Sequence, residues 1–404
     1  MRRIYMYKTV VFSCLSALAV LLYTGFQQTM HYDVSIRSEN EVPSCPSVLR
    51  HMMTGAWFSR SLSAEEEDDI ETYLRKGLYF MTRNGTFERP DKKCGNISYF
   101  GWMDRRKEAG WFRVLCEPRG STPCCSDNVC QRKTIRECVC DGCYDLRTQK
   151  HAEYSKWIPE DSRCQVKNFT SKSACELLKG GTFHFYGDSL VRQMYLAFLI
   201  IVKGDYQHGG LVSNASVEIK QQCAGKYVFP YKNCRNHLDY SPTLCDGTVK
   251  AKFIYCGRFD HRATFMTDEL KNILDTPKSI VMFGSGLWAR FNKNYNSNFA
   301  RAIIDPVRNH TKRKWPKLLW SGFSGFGLWR RELERGITNK NAQLYNRNME
   351  RIVGKYNVPM FDTFNLTRGV RSLDGTHYGP GVNVVKAQIY LNYLMELQKN
   401  DEWV

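Results

Sequence analysis

Sixteen cysteines stand in this 404-residue chain, and every one of them precedes residue 257. Such a load is unusual where thiols are kept reduced and typical of oxidising compartments, so the first two thirds of the chain must fold around disulfides. A hydrophobic content of 43% with 13% aromatics is enough to bury a sizeable core, which rules out wholesale disorder. The length allows one large catalytic domain, or two ordinary ones with appendages. Lys and Arg total 58 against 40 Asp and Glu, a formal +18 that favours anionic partners. Together with the cysteines, that balance argues against a nucleic-acid partner and leaves acidic glycans and anionic lipid.

Residues 1–8 hold Arg2, Arg3 and Lys8 and no acid, and residues 9–26 (TVVFSCLSALAVLLYTGF) carry no charge over about the length that spans a bilayer as a helix. A cleaved signal peptide and a retained anchor compete here. The small-x-small pattern Ala17-Leu18-Ala19 lies inside the apolar run, so cleavage there would leave half the segment behind. The expected reading is a transmembrane signal anchor over 9–26, with the basic tail cytosolic and the rest luminal, in an early secretory membrane such as the Golgi. Sequons at Asn84, Asn96, Asn168, Asn214, Asn309 and Asn365 predict glycosylation on that side.

Residues 27–55 are polar and aperiodic, as expected of a stem. Residues 56–165 crowd most of the cysteines among turns at Pro118, Gly120, Pro123 and Gly142, which predicts a disulfide-stapled region of short elements. Cys138-x-Cys140-x-x-Cys143 invites zinc but lacks the paired CxxC of a strong zinc signal, so disulfides and no metal are expected. The cysteines beyond the anchor are odd in number: one is a free thiol or links two chains as a dimer. Residues 166–404 change texture. Strands are predicted at 182–186, 251–255, 279–283, 317–320 and 358–362, and helices at 190–202, 267–274, 341–356 and 384–398. That alternation predicts an α/β fold, a three-layer sandwich with a parallel sheet.

Chemistry enters where the first of these strands meets its helix, at Gly187-Asp188-Ser189-Leu190. A serine there stands at the carboxyl edge of the sheet, beside helix N–H groups able to stabilise an oxyanion. The plain alternative is that Asp188 and Ser189 only cap the helix. Asp374-Gly375-Thr376-His377 lies directly before the last helix. A carboxylate three residues ahead of an imidazole can fold back to orient one ring nitrogen while the other faces a serine.

The pair GDSLVRQMY and DGTHYGPG resembles the SGNH/GDSL hydrolase superfamily, and particularly its PC-esterase branch, which includes trichome-birefringence-like polysaccharide O-acetyltransferases, the sialate O-acetyltransferase luminal domain, and neurexophilin/PC-esterase proteins. The segment Tyr154 to Pro159 with Cys164, and Phe283-Gly284-Ser285-Gly286-Leu287-Trp288, look like the branch's lead-in and strand-end motifs. The resemblance covers roughly residues 150 to 404. It implies Ser189 as nucleophile, His377 as general base and acid, and Asp374 as the group that orients the imidazole. Arg192 matches a family arginine that either contacts substrate or pairs with a carboxylate, and Trp288 is a substrate-binding candidate. The superfamily's oxyanion hole adds a glycine and an asparagine from two further loops. That asparagine is missing from Gly-Ser-Gly-Leu-Trp, which leaves Gly210, Gly286 and, more distantly, Asn292 as candidate donors. Trp320, Phe326 and Trp329 either line a sugar site or pack in the core, and Lys312 to Lys314 and Arg330-Arg331 read as solvated faces.

The resemblance and the anchored topology imply a Golgi carbohydrate O-acetyltransferase working through an acyl-serine, with no bound cofactor and an acetyl donor such as acetyl-CoA as co-substrate. Its partner would be a glycan or glycoconjugate, and the positive balance favours an acidic one. A carbohydrate acetylesterase is one alternative. A catalytically inactive, membrane-tethered glycan-binding or adhesion protein is another.

Overall fold

The computed structural model describes residues 45–78, 88–97, 112–257, 263–310, 315–331 and 336–403. The expected tail and anchor lie outside them, and among the described residues no helix is long and apolar enough to cross a membrane. The chain runs through α1 (Val48–His51), β1 (Gly55–Ser59), α2 (Ala64–Leu78), the short strands β2 (Cys124–Ser126), β3 (Val129–Gln131) and β4 (Tyr144–Asp145), then β5 (Ser155–Pro159) and α3 (Ser171–Leu178). The α/β part follows as β6 (Thr182–Gly187), α4 (Ser189–Lys203), α5 (Val217–Gln222), β7 (Thr243–Leu244), β8 (Val249–Tyr255), α6 (Ala263–Lys271) and β9 (Ser279–Gly284). It continues with α7 (Lys293–Asn309), β10 (Lys317–Ser321), α8 (Asn339–Gly354), β11 (Met360–Phe361), α9 (Phe364–Thr367) and α10 (Pro380–Lys399).

The central sheet has the order β11-β10-β9-β6-β8-β7. Its strands pair in parallel except β7, an antiparallel edge that the expected parallel sheet omits. Strand alternation explains the three layers. Phe183, Phe185, Ile280 and Met282 point into a core shared with α3, α4 and α10, while Tyr186, Val281, Phe283 and Trp320 point into a second core under α6, α7 and α8. α4 is buried almost all round, from Val191 to Val202, and stops at Gly204, whose φ of +66° suits the left-handed cap glycine tolerates.

Two expectations are corrected here, and one open choice is decided for core packing. α7 is absent from the predicted elements. Its apolar residues Phe299, Ala300, Ile303, Ile304 and Val307 form a buried stripe, but asparagines, lysine and an internal Pro306 mask the period in the sequence. Residues 45–55, read as the end of the stem, belong to the body: Val48, Met52 and Met53 are buried, Cys45 is bonded to Cys164, and Cys45–Val404 forms one compact unit. Trp320, Phe326 and Trp329 are buried in the cores, which removes them from any sugar surface.

The cysteine-rich region is a small three-stranded antiparallel sheet, β3-β2-β4. Cys94–Cys125, Cys116–Cys130, Cys124–Cys138 and Cys140–Cys143 staple it. Sulfurs of Cys94, Cys116 and Cys130, and of Cys124, Cys138 and Cys143, converge within 4.8 Å, but each is spent in a disulfide and offers no thiolate to zinc. Trp329 plugs the core of this region, and its carbonyl accepts the Arg113 N–H at 2.7 Å, which docks the stapled sheet onto the α/β part. Cys175–Cys245 and Cys223–Cys234 lie in the α/β part itself. Cys256 is buried just beyond the end of β8.

Candidate active site

β6 ends at Gly187, which pairs with Tyr255 of β8 on one side and Gly284 of β9 on the other. A side chain at Gly187 would meet Val191 and the Gly284 carbonyl, so glycine allows the chain to turn tightly from strand into helix here. Asp188 caps α4, its Oδ1 accepting the Leu190 N–H at 2.9 Å. Capping and chemistry coexist: Asp188 takes the cap, and Ser189 is left at the first helical position, at the carboxyl edge of the sheet. Burial raises the Asp188 pKa, against the opposing pull of the Leu190 N–H, His377 and Arg192.

The loop before α10 comes back to this point from 188 residues away. His377 Nε2 lies 2.7 Å from Ser189 Oγ, and His377 Nδ1 lies 2.7 Å from Asp374 Oδ2. Asp374 Oδ1 meanwhile accepts the N–H groups of Thr376 at 2.9 Å and His377 at 2.8 Å. The turn needs Gly375, at φ +80°, where a Cβ would strike the Arg330 backbone. Gly375 is held from both sides, its N–H on Ser372 Oγ at 3.0 Å and its carbonyl accepting the Gly327 N–H at 3.0 Å. Burial acts to raise the Asp374 pKa, but the facing His377 and the hydrogen bonds from its ring, its backbone N–H and that of Thr376 hold the carboxyl at about 2. An ionised Asp374 fixes Nδ1 as the protonated ring nitrogen and leaves Nε2 free to take the Ser189 proton.

The structure brings Ser189, His377 and Asp374 together and sorts the weaker candidates. Gly210 packs on Leu196, seven residues along α4 from Ser189 and so about 10 Å of helix rise away, and its carbonyl accepts the Asp239 N–H. It is too distant to be an oxyanion donor. Asn292 caps α7 through the Tyr295 N–H at 2.9 Å and is occupied. Gly286 stands two residues beyond β9, at the same sheet edge as Ser189, with Phe323, Tyr345 and Phe291 around it. Gly257, two residues beyond β8 on the opposite flank, occupies the strand-end place that Gly210 does not. Its position was legible only once the strand order was known. Gly284, at the end of β9, leaves no room for a side chain: a Cβ there would run into the Ser321 carbonyl and Cβ of β10.

Arg192 is buried, one helical turn from Ser189, and makes no ion pair with a described residue, so the carboxylate-pairing reading of this arginine fails. Trp288 is 46% exposed beyond β9, and Tyr255, which the sequence reading passed over, is 39% exposed at the end of β8. These two aromatics flank the strand that delivers the nucleophile. Arg330, read as a solvated charge, is instead buried with its guanidinium 5.6 Å from the Phe326 ring centre, and burial lowers its pKa against the opposing field of Asp374. A cleft of about 800 Å³ is lined by Lys317, Val358 and Pro359 at the amino ends of β10 and β11, the edge opposite Ser189. Of the sequon asparagines, Asn168, Asn214, Asn309 and Asn365 are exposed, Asn96 is exposed but bonded to Arg113 and Tyr144, and Asn84 lies outside the described residues. Lys312 to Lys314 also lie outside them.

No protein-family profile and no curated protein matches the chain. Among solved structures it is similar to an acetylxylan esterase from Geobacillus stearothermophilus, at 14% identity over 54% of this chain and 95% of that one with a TM-score of 0.32. It is also similar to a carbohydrate acetylesterase from Sinorhizobium meliloti, at 12% identity over 54% of this chain and 99% of that one with a TM-score of 0.32. A lipolytic G-D-S-L family member from Veillonella parvula is similar at 9% identity over 52% of this chain and 96% of that one, with a TM-score of 0.30.

Proposed function

We propose that this chain is a serine-dependent carbohydrate O-acetyltransferase, anchored by residues 9–26 with its body in the Golgi lumen. The observation that carries the reading is the unbroken Ser189–His377–Asp374 relay, with 2.7 Å at each link, at the carboxyl edge of a parallel sheet. In the first half-reaction Ser189 Oγ attacks the acetyl carbonyl of a donor while His377 Nε2 takes the hydroxyl proton. The tetrahedral oxyanion faces the α4 N-terminus, and collapse gives acetyl-Ser189 as His377 returns the proton to the leaving group. A sugar hydroxyl then gives its proton to His377 as its oxygen attacks the acetyl-serine, and collapse breaks the Ser189 ester bond, His377 returning the proton to Ser189 Oγ as the O-acetyl sugar leaves. Asp374 stays ionised throughout and stabilises the imidazolium. The exposed rings of Trp288 and Tyr255 suit an acceptor that stacks on aromatic faces. The disulfides and exposed sequon asparagines support a luminal glycoprotein.

The test uses the full-length chain in detergent. A serine-reactive fluorophosphonate is expected to label it, and Ser189→Ala and His377→Ala are expected to abolish labelling. Incubation with acetyl-CoA and candidate sugars, measuring acetylated sugar against free acetate, then separates transferase from acetylesterase. Absence of Ser189-dependent labelling would sink both and leave a glycan-binding or adhesion protein with an idle site.

A further inference from the structure

The helical turn that presents Ser189 also presents Arg192, three residues on and therefore on the same face of α4. Arg192 is 8% exposed, and its guanidinium forms no side-chain hydrogen bond or ion pair with a described residue and lies 5.9 Å from the centre of the Tyr255 ring. A buried cation without a counter-ion is costly unless a partner arrives. Arg235, in the short 3₁₀ turn Asn233–His237, is the second cation whose field reaches Arg192. Its Nε is buried without a hydrogen-bond partner, and after burial it is the largest influence depressing the Arg192 pKa, to about 10, which leaves Arg192 charged at neutral pH.

The other groups near Arg192 and Arg235 do not neutralise them. Tyr240 donates its hydroxyl to the Arg235 carbonyl at 2.7 Å, and Tyr255 offers a half-exposed ring. Asp188 is the acid that faces Arg192, but it stands outside ion-pairing distance and caps α4. Asp239, next to Tyr240, is engaged by Lys203 at 2.9 Å. Two guanidiniums that feel each other's charge, neither ion-paired to a carboxylate of the described residues, suit an incoming oxyanion group, which a planar guanidinium can bind through two N–H donors. Tyr255 lies beside Arg192 at the end of the strand next to the nucleophile, where a pyranose ring can stack with its acid group turned inward.

We propose that Arg192 and Arg235 form an anion subsite beside Ser189 that receives the carboxylate of an acidic sugar, the acyl acceptor. Calling that sugar the acceptor rests on the acyl-transfer reading above, whereas the subsite itself is tested by binding alone.

Isothermal titration calorimetry on the full-length chain in detergent compares methyl glucuronide, methyl glucoside and acetyl-CoA. Glucuronide is expected to bind at least tenfold more tightly than glucoside, with the preference lost in Arg192→Gln, reduced in Arg235→Gln and partly kept in Arg192→Lys. Should Arg192→Gln fail to fold, the Arg235→Gln and Arg192→Lys results carry the comparison. Equal binding of the two glycosides, or a preference that survives both glutamine variants, overturns the subsite. If the variants weaken acetyl-CoA while glucuronide shows no preference, the anion is a donor phosphate and the acceptor assignment falls. Fluorophosphonate labelling of the same preparation keeps the two ideas apart. Labelling without glucuronide preference removes the subsite alone, and preference without labelling removes acyl transfer and leaves the subsite.

Discussion

Asp374 divides its two oxygens between two tasks on one residue: Oδ2 meets the His377 ring at 2.7 Å, while Oδ1 accepts the His377 backbone N–H at 2.8 Å. The same carboxylate therefore shapes the loop and sets the tautomer of the histidine the loop carries. Ionisation strengthens both contacts, since each places a donor against the carboxylate.

That dual role makes Asp374→Asn informative in two ways. Loss of the correct tautomer is expected to lower kcat on an acetyl ester by about 10³ to 10⁴. The folded pKa of about 2 lies below the ordinary value of 3.8, so ionised Asp374 contributes about 2 kcal/mol that is fully present above pH 4 or so and is lost as pH falls toward 2. Urea unfolding of both proteins across that range is expected to show a stability gap that shrinks on acidification. A gap that stays constant would contradict the assignment.

Gly375→Ala places a Cβ at φ +80° against the Arg330 backbone. Strain of this kind costs about 1–3 kcal/mol, and relief would come from moving the Asp374–His377 turn. Denaturation should report the stability loss, and fluorophosphonate labelling should slow because His377 leaves Ser189. Wild-type labelling and stability in the alanine variant would show that the turn has room.

An asparagine placed at position 284 is expected not to supply an oxyanion donor. In Gly284→Asn the new side chain meets the Ser321 carbonyl and Cβ before it can reach the oxyanion. Thermal melting should fall by several degrees, in line with overpacking costs of about 1–3 kcal/mol, and kcat should not rise. An increase in kcat at unchanged melting temperature would refute the steric account.

Cys256 is expected to resist a thiol reagent in the native state and to react fully in denaturant, because it is 1% exposed at the base of α6. Peptide mapping after alkylation identifies the site, and non-reducing electrophoresis of Cys256→Ser should match the wild type. Rapid native labelling at Cys256, or a disulfide dimer that disappears in the variant, would mean that the end of β8 opens.

Much of this was legible in the chain. The strands at 279–283 and 182–186 announce themselves as short apolar runs bounded by turns, and Gly-Asp-Ser and Asp-x-x-His lie in order at the ends of such elements. Local chemistry also accounts for the caps at Asp188 and Gly204. α7 was illegible because its buried stripe is written among asparagines and interrupted by Pro306, so only the second core reveals which side faces inward.

Residue types and their order thus specify a cysteine-rich, alternating α/β chain, and a serine, an aspartate and a histidine at element boundaries, since each is written in a few neighbouring residues. Disulfide partners, the choice of Gly257 over Gly210, the exclusion of a side chain at Gly284 and the meeting of Arg192 with Arg235 depend on distances between segments far apart in sequence. Those distances exist only after β8 and β9 have closed on either side of β6. No local pattern encodes them, because the energy that sets them is the packing of two cores against a single sheet.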